Sequence, residues 1–211
     1  MPKHTFVDVI TSETALRDAM GSPSDLVVRK QLDHLDVHAR RFIEQSPFLL
    51  IASSGLDHMG DVSPRGDAPG FVAVLDEHTL VIPERPGNRR IDTLRNILHT
   101  GGVGLIFLIP GFEETLRVNG RARIVRDETL LARTSAQGKL PTLVIVVEVL
   151  ECFFHCAKAF KRSALWQPRT WPARDSMASL AQIMMDQVKP PDTSLDDLEQ
   201  MIAESYAQRL Y

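Results

Sequence analysis

The sequence predicts a mainly β protein with added helices, in which the strands form a closed or nearly closed barrel. Six or seven short apolar runs, separated by turns rich in Gly and Pro, recur at regular spacing between residues 47 and 163. Within them, Thr115–Val125 alternates between polar and apolar residues, which is typical of a half-buried strand. Because only one helical segment interrupts these runs, a barrel is favoured over a parallel sheet.

The first element is helical. Apolar residues recur at spacings of three and four up to Ser46-Pro47, where the helical pattern ends, and we predict a helical extension over residues 12–46. The apolar stripe that predicts it consists of Leu32, Leu35, Ala39 and Phe42.

The strands follow from residue 47. Residues 48–52 form an apolar run before a turn, 71–75 and 79–82 read as the arms of a tight hairpin, and 103–109 is a further run that ends at Pro110-Gly111. Residues 142–154 are rich in β-branched side chains and predict the last long strand. In the strand at 115–125, the apolar face consists of Leu116, Val118, Gly120, Ala122 and Ile124.

The last part of the chain is again helical. Met177, Leu180, Met184 and Val188 keep helical spacing, and Ser194 with Asp197 predicts a capping box at the start of a second helix. We therefore expect a single domain over residues 1–211, with the helical extension at 12–46, the barrel at 47–163 and a helical tail at 173–211.

Composition excludes several classes of function. The formal net charge of −3 gives no basic field for nucleic acid or a membrane surface. No apolar run approaches the length of a membrane span and the first residues lack the apolar core of a signal peptide, so a cytoplasmic location is expected. Cys152 and Cys156 are read as buried or half-buried thiols, and His34 and His38 as a solvated helix face, in preference to metal ligands.

Two consecutive arginines give the strongest local signal for a ligand. A helix is predicted from about Asn88, as its N-cap, to Thr100, with Gly101-Gly102 as the stop. Arg89 and Arg90 then fall in its first turn, where basic residues oppose the helix dipole. A bound phosphate would make this placement favourable, because free N–H groups and two guanidinium groups would converge on it. The alternative is a pair of solvated arginines on a surface turn.

Other candidates lie later in the chain. Arg117, Arg121 and Arg123 occupy the polar face of the strand at 115–125, and Arg117 is the best candidate for a ligand contact because it lies deeper in the strand. Trp166 and Trp171 either pack or cover a ring-shaped cofactor. The familiar nucleotide, zinc-protease and serine-hydrolase motifs are absent, and no catalytic residue is identified, which favours a cofactor that supplies the chemistry.

Several motifs in combination resemble a known family. Over about residues 25 to 170 the chain is similar to the pyridoxamine 5′-phosphate oxidase-like, FMN-binding split-barrel superfamily, and more narrowly to its class of probable FMN-dependent enzymes of unassigned substrate. The motifs are Pro47-Phe-Leu-Leu-Ile-Ala-Ser-Ser54, Asp61-Val-Ser-Pro-Arg-Gly-Asp67, Ile82-Pro-Glu-Arg-Pro-Gly-Asn-Arg-Arg-Ile91, Leu94-Arg-Asn-Ile-Leu98, Glu114-Thr-Leu-Arg-Val-Asn-Gly120 and Phe154-His-Cys-Ala-Lys-Ala-Phe-Lys-Arg-Ser163.

The resemblance implies a six-stranded split β-barrel that forms a homodimer with FMN at the subunit interface. It implies four kinds of contact with the flavin. Residues of one strand motif touch the flavin and its phosphate, two residues lie along the isoalloxazine ring, and three bind the phosphate. The last group combines one residue just before the second arginine-containing strand motif with three residues that reach the flavin from the partner subunit. In this order, the residues are Ser63, Arg65, Gly66 and Asp67; Ile82 and Pro83; Asn88, Arg89 and Arg90; and Thr115, which replaces the family's glutamine, with Lys158, Arg162 and Trp166.

The resemblance also has a limit that bears on the substrate. The vitamin B6 oxidases carry a C-terminal Arg-x-His-type segment, and this chain ends instead in Met- and Leu-rich helices, so oxidation of pyridoxine phosphate is not expected. The leading hypothesis is an FMN-dependent oxidoreductase that acts on a small molecule, with NADH or NADPH as the electron donor to test. The alternatives are a non-catalytic flavin-binding redox sensor or stress-response protein, and a split barrel that binds haem, with His155 as axial ligand, or deazaflavin.

Overall fold

The computed structural model describes residues 4–211, which form two compact units, one ending at Gln31 and one running from Leu32 to Tyr211. The first unit contains helices α1 (Glu13–Met20) and α2 (Asp25–Arg29). Residues 1–3 lie outside the described residues, and the predicted single domain over 1–211 stays a prediction.

The second unit is built on one antiparallel sheet of seven strands in the order β2-β1-β5-β6-β7-β4-β3. The mainly β prediction is confirmed, and the six strands that the resemblance implied are wrong, since the sheet has seven. Among the described residues no backbone ladder joins β2 to β3, so closure of the predicted barrel is not confirmed. The strands are β1 (Phe48–Ser54), β2 (Gly60–Gly66), β3 (Ala73–Val74), β4 (Thr79–Pro83), β5 (Gly102–Leu108), β6 (Thr115–Val125) and β7 (Val144–His155).

Six helices accompany this sheet. One precedes it, two are inserted between its strands, and three follow the last strand, with short 3₁₀ turns at Pro168–Thr170 and Arg174–Ser176. The capping box predicted at Ser194 and Asp197 is present at the start of the last helix. The helices are α3 (Val37–Gln45), α4 (Asp92–Thr100), α5 (Glu128–Arg133), α6 (Lys158–Ser163), α7 (Leu180–Val188) and α8 (Leu195–Gln208).

The core lies between the inner face of the sheet and helices α3 and α4. Leu116, Val118 and Ala122 of β6 are buried, which confirms the predicted apolar face of this strand. Ile43 of α3 and Ile97 of α4 pack into the same cluster. Each fully buried aliphatic side chain of this kind contributes roughly 1.5–3 kcal/mol to the free energy of unfolding.

The segment before α3 departs from the prediction. Leu32 and Leu35 are not helical, because α3 begins only at Val37, after Asp36 accepts a hydrogen bond from the Ala39 N–H at 2.8 Å. The main chain of Leu32 instead exchanges hydrogen bonds with Cys152 of β7. An N-cap and two main-chain hydrogen bonds to Cys152 therefore determine where this helix starts.

The predictions for cysteine and histidine are also corrected in part. Burial raises the pKa of the Cys152 thiol to about 12, whereas Cys156 is exposed and not half-buried as predicted. His34 precedes α3, so it does not share a helix face with His38, and its ring contacts the Asp33 carboxylate instead.

Within residues 4–211 no group of three or more acidic, His or Cys side chains could hold a metal ion. No helix in that range combines the length and apolar character needed to cross a membrane.

Candidate functional site

Helix α4 begins later than its sequence pattern predicts. The helix starts at Asp92, and the main chain at Arg89 and Ile91 has left-handed φ angles of 60° and 55°, which interrupt helical geometry. Asn88 is not the N-cap, because its side-chain oxygen accepts from the Arg90 N–H at 3.1 Å in a local turn. Arg89 and Arg90 thus lie just before the helix and not in its first turn. The predicted stop is confirmed, since Gly101 has a φ of 71° at the C-terminal end.

The two arginines before α4 differ in their partners. Arg90 Nε donates to one oxygen of Asp92 at 2.8 Å, and Arg95 donates to the other oxygen at 2.8 Å. Arg89 is exposed, and the structure of residues 4–211 gives it no acidic partner. Of the predicted pair, Arg89 is the one whose charge is available to a ligand.

Strand β2 lies beside the start of α4. The hydroxyl of Thr93, in the first turn of the helix, donates to Ser63 Oγ of β2 at 3.2 Å. One helical turn later, the Asn96 amide donates to Ser53 Oγ of β1 at 3.1 Å. These contacts, the second of them buried, bring the predicted flavin strand next to the helix that follows Arg89.

Arg65 of β2 has an incomplete set of hydrogen bonds. It forms an ion pair with Glu84, with Arg65 Nη1 2.6 Å from Glu84 Oε2, and the two side chains are 15% and 22% exposed. Its Nε atom is buried and lacks a hydrogen-bond partner among the described residues, as does Asp61 Oδ2. A buried donor without an acceptor costs roughly 1–3 kcal/mol, so this guanidinium would gain from a further acceptor.

Asp67 is engaged within the chain itself. Its carboxylate accepts from Arg85 Nε and from Tyr211 Oη, both at 2.7 Å, and its side chain is only 3% exposed. Burial acts to raise the pKa of this carboxyl, but the hydrogen bonds from Tyr211, the Ala68 N–H and Arg85 outweigh it and hold the pKa below 3.8. Arg85 also donates to the Thr134 carbonyl at 2.9 Å. Asp67 therefore belongs to a saturated structural pair.

Three predicted residues near these pairs have different exposures. The side chain of Ile82 is fully buried in the core and Pro83 is buried at the end of β4, so neither presents a side-chain surface to solvent within one chain. Gly66 is exposed, and a Cβ there would lie 3.3 Å from the Phe48 ring. Their contact with a flavin ring stays a prediction.

The remaining predicted residues form a second group around the start of β6 and α6. Arg117 lies over the Phe153 ring, 5.1 Å from its centre, and is 3.4 Å from Glu151. Thr115 is buried opposite His155.

The α6 side of this second group is held to the turn between β5 and β6. Trp166 Nε1 donates to the Phe112 carbonyl at 2.7 Å, and the Trp166 ring stacks on Phe160. Lys158 and Arg162 are exposed on α6. For the described residues, the contacts above do not link this group to the site at β2 and α4, so one chain brings together only part of the predicted set.

The central part of the chain identifies its family. Residues 35–156 match the family model of pyridoxamine 5′-phosphate oxidase. The chain belongs to the pyridoxamine 5′-phosphate oxidase family. No curated protein matches it.

Several solved structures are similar to this family member at low identity. HupZ of Group A Streptococcus is 16% identical with a TM-score of 0.45, over 54% of this chain and 88% of that one. A protein from Lactobacillus delbrueckii that was proposed to be a pyridoxamine 5′-phosphate oxidase is 20% identical with a TM-score of 0.48, over 59% and 98%. The heme storage protein HutZ of Vibrio cholerae is 13% identical with a TM-score of 0.41, over 57% and 93%. We draw no functional conclusion from similarities of this size.

Sequence reasoning missed three residues of this pyridoxamine 5′-phosphate oxidase family member. Glu84 and Arg85, which follow the predicted ring residues, hold Arg65 and Asp67, and Tyr211 joins them from the other end of the chain. No local pattern pointed to these contacts, because they join positions 18, 19 and 144 apart along the chain.

Proposed function

We propose that this member of the pyridoxamine 5′-phosphate oxidase family binds FMN, as a homodimer, and is an FMN-dependent oxidoreductase of unassigned substrate. The observation that carries the proposal is the contact between Thr93 and Ser63, because it sets the arginine-bearing strand against the helix that follows Arg89. Family membership supports the flavin class, and the arginines support a ligand with a phosphate.

The residues at this site fit the phosphate of FMN. A phosphate dianion offers only acceptors, and the site holds donors for it: the Arg65 guanidinium, whose side chain is 15% exposed, the unpaired Arg89 and the start of α4, which has no side-chain cap. Ser63, Arg65, Arg89 and, less strongly, Arg90 would hold the phosphate. FMN, when bound, supplies hydride and electron transfer, and the chain's own residues bind and orient it.

An apolar face of the sheet supports the homodimer. In β1 the buried Leu49 and Ile51 face the core, so Leu50 lies on the outer face, in register with Pro64 of β2 and Ile106 of β5. Val62 on the same face is 60% exposed. A contiguous apolar sheet face of this kind is typical of an interface. In the proposed dimer, Lys158, Arg162 and Trp166 reach the flavin from the partner subunit.

One observation favours binding without turnover as a second candidate. Asp67, Glu84 and Asp92 at the site are each in an ion pair with arginine, so these three carboxylates are not free to act as an acid or base. A non-catalytic flavin-binding redox sensor would have this arrangement. Bleaching of bound flavin by NADH or NADPH, followed by reoxidation with an added acceptor, distinguishes the enzyme from the sensor, and a Soret band in the visible spectrum would identify haem instead.

The phosphate assignment is tested by removing the two arginines separately. Arg89→Ala should weaken FMN binding by about 10- to 100-fold, the size expected for a charge-assisted hydrogen bond, and Arg90→Ala should weaken it less because Arg90 is shared with Asp92. Riboflavin, which lacks the phosphate, should bind all variants alike. Arg126→Ala removes an exposed positive charge elsewhere and is the control. Unchanged FMN affinity in an Arg89→Ala/Arg90→Ala double variant would refute the assignment.

A further inference from the structure

Glu84 is the only acidic side chain in contact with Arg65 among the described residues, and the contact is incomplete. A guanidinium carries five N–H donors in a fixed fork. Arg65 uses Nη1 on Glu84, at 2.6 Å, while its Nε is buried without an acceptor. The pair is thus a one-point contact in a largely buried place, and one donor of the guanidinium is left without an acceptor.

The neighbouring ion pair shows the contrast. Arg85, the next residue after Glu84, gives Nε to Asp67 and Nη2 to the Thr134 carbonyl, and Asp67 also accepts from Tyr211. Both oxygens of Asp67 thus accept hydrogen bonds from within the chain, and Arg85 Nε is already used. Glu84 and Arg85, the two residues after β4, therefore differ in their contacts. Arg85 binds Asp67, whose carboxylate has its hydrogen-bond partners, whereas Glu84 binds Arg65, whose guanidinium lacks an acceptor at Nε; we call the second contact the open contact.

The open contact has a consequence for any anion that approaches Arg65. A phosphate oxygen and the Glu84 carboxylate would share one guanidinium in a site of low solvent exposure, where like charges repel more strongly than in water. A phosphate dianion carries two negative charges, so we expect it to displace the carboxylate from Arg65 or to share the guanidinium with it. A singly charged anion is not expected to do so. A ligand without a phosphate gains nothing from Arg65 and is indifferent to Glu84.

We propose that Glu84 is a specificity-determining residue, which competes with the ligand phosphate for Arg65 and so sets how strongly the site distinguishes FMN from riboflavin. This inference rests on the proposed function. It assigns a role to Glu84 at that site. Glu84 lowers the affinity for phosphate, and it neutralises the charge of Arg65 when no ligand is bound.

The test compares the dissociation constants of FMN and riboflavin at fixed pH and ionic strength. Glu84→Gln should bind FMN about tenfold more tightly than the unchanged protein, while riboflavin affinity changes by less than about twofold. Glu84→Asp keeps the charge but shortens its reach, so its gain should be intermediate. Glu44→Gln is the control, because it removes a carboxylate of the same kind from an exposed pair with Arg41 on α3.

A second set of variants separates competition for Arg65 from general repulsion. In an Arg65→Gln background, Glu84→Gln should no longer raise FMN affinity, since the shared guanidinium is gone. This double variant also removes both charges of the pair, so it avoids leaving Arg65 buried without its carboxylate. If Glu84→Gln and Glu84→Asp keep the ratio of FMN to riboflavin affinity found in the unchanged protein, or if the gain persists without Arg65, the inference is wrong. Failure of the unchanged protein to bind FMN would refute the proposed function instead.

Discussion

Tyr211 donates a hydrogen bond from its hydroxyl to Asp67 Oδ1 at 2.7 Å, across 144 positions of the chain. The Tyr211 main-chain oxygen accepts from Lys139 Nζ at 3.0 Å, and the Arg85 guanidinium lies over the Tyr211 ring. This contact ties the last described residue to the end of β2, beside the proposed phosphate site.

The hydrogen bond between Tyr211 and Asp67 should stabilise the fold only within a defined pH range. The pKa of Asp67 is held below 3.8, so its stabilising effect is present above that value and lost as the pH falls through the folded-state pKa. The hydrogen bond to Asp67, followed by burial, raises the pKa of Tyr211 above 10.0, so its effect is present below pH 10.0 and lost as the pH rises through the folded-state pKa. Tyr211→Phe should therefore lower the free energy of unfolding near neutral pH, and the difference from the unchanged protein should shrink at both extremes.

Urea denaturation between pH 3 and pH 11 measures this difference. Tyr206→Phe removes an exposed hydroxyl from the same helical tail and is the matched control, with no effect expected. A Tyr211→Phe variant as stable as the unchanged protein at pH 7 would contradict the role of this contact.

Gly120 should tolerate no side chain. It follows the irregularity in register between β6 and β7 at Asn119/Gly120, and a Cβ there would overlap the main-chain oxygen of Glu148. Because a main-chain atom cannot move aside as a flexible side chain can, Gly120→Ala should lower the free energy of unfolding by about 3 kcal/mol or more. Gly102→Ala in the adjacent strand has open space around its Cβ and should change it by less than about 0.5 kcal/mol. Equal stabilities of the two variants would show that the strands pair differently.

The proposed dimer should depend on the outer apolar face of β1, β2 and β5. Val62→Asp places a charge on that face and should convert the protein to a monomer in sedimentation equilibrium, with loss of FMN because the partner's residues no longer reach the flavin. Leu98→Asp changes a more exposed apolar side chain, on α4, and should leave the dimer intact. A Val62→Asp protein that stays dimeric would place the interface elsewhere.

Much of the fold was predictable because its signals are local. Alternation over Thr115–Val125 predicted both the bounds and the buried face of β6, and Ser194 with Asp197 predicted the start of α8. The start of α4 was not predictable, since Arg89 and Ile91 adopt left-handed angles that neither residue type favours. The helical stripe through Leu32 and Leu35 failed for a related reason, because their main-chain partners, Cys152 of β7 and Glu77 in the turn before β4, are distant in the chain.

For the candidate site, the sequence by itself determined the family, the alternating strand at Thr115–Val125 and the arginines worth testing, because each depends on residue types at short spacing. Only the tertiary structure decided which of those arginines is available to a ligand. Asp92 holds Arg90, Glu84 holds Arg65 by one contact, and Arg89 has no acidic partner among residues 4–211. Glu84 lies 19 positions after Arg65, and only the folded chain brings the two charges within hydrogen-bond distance.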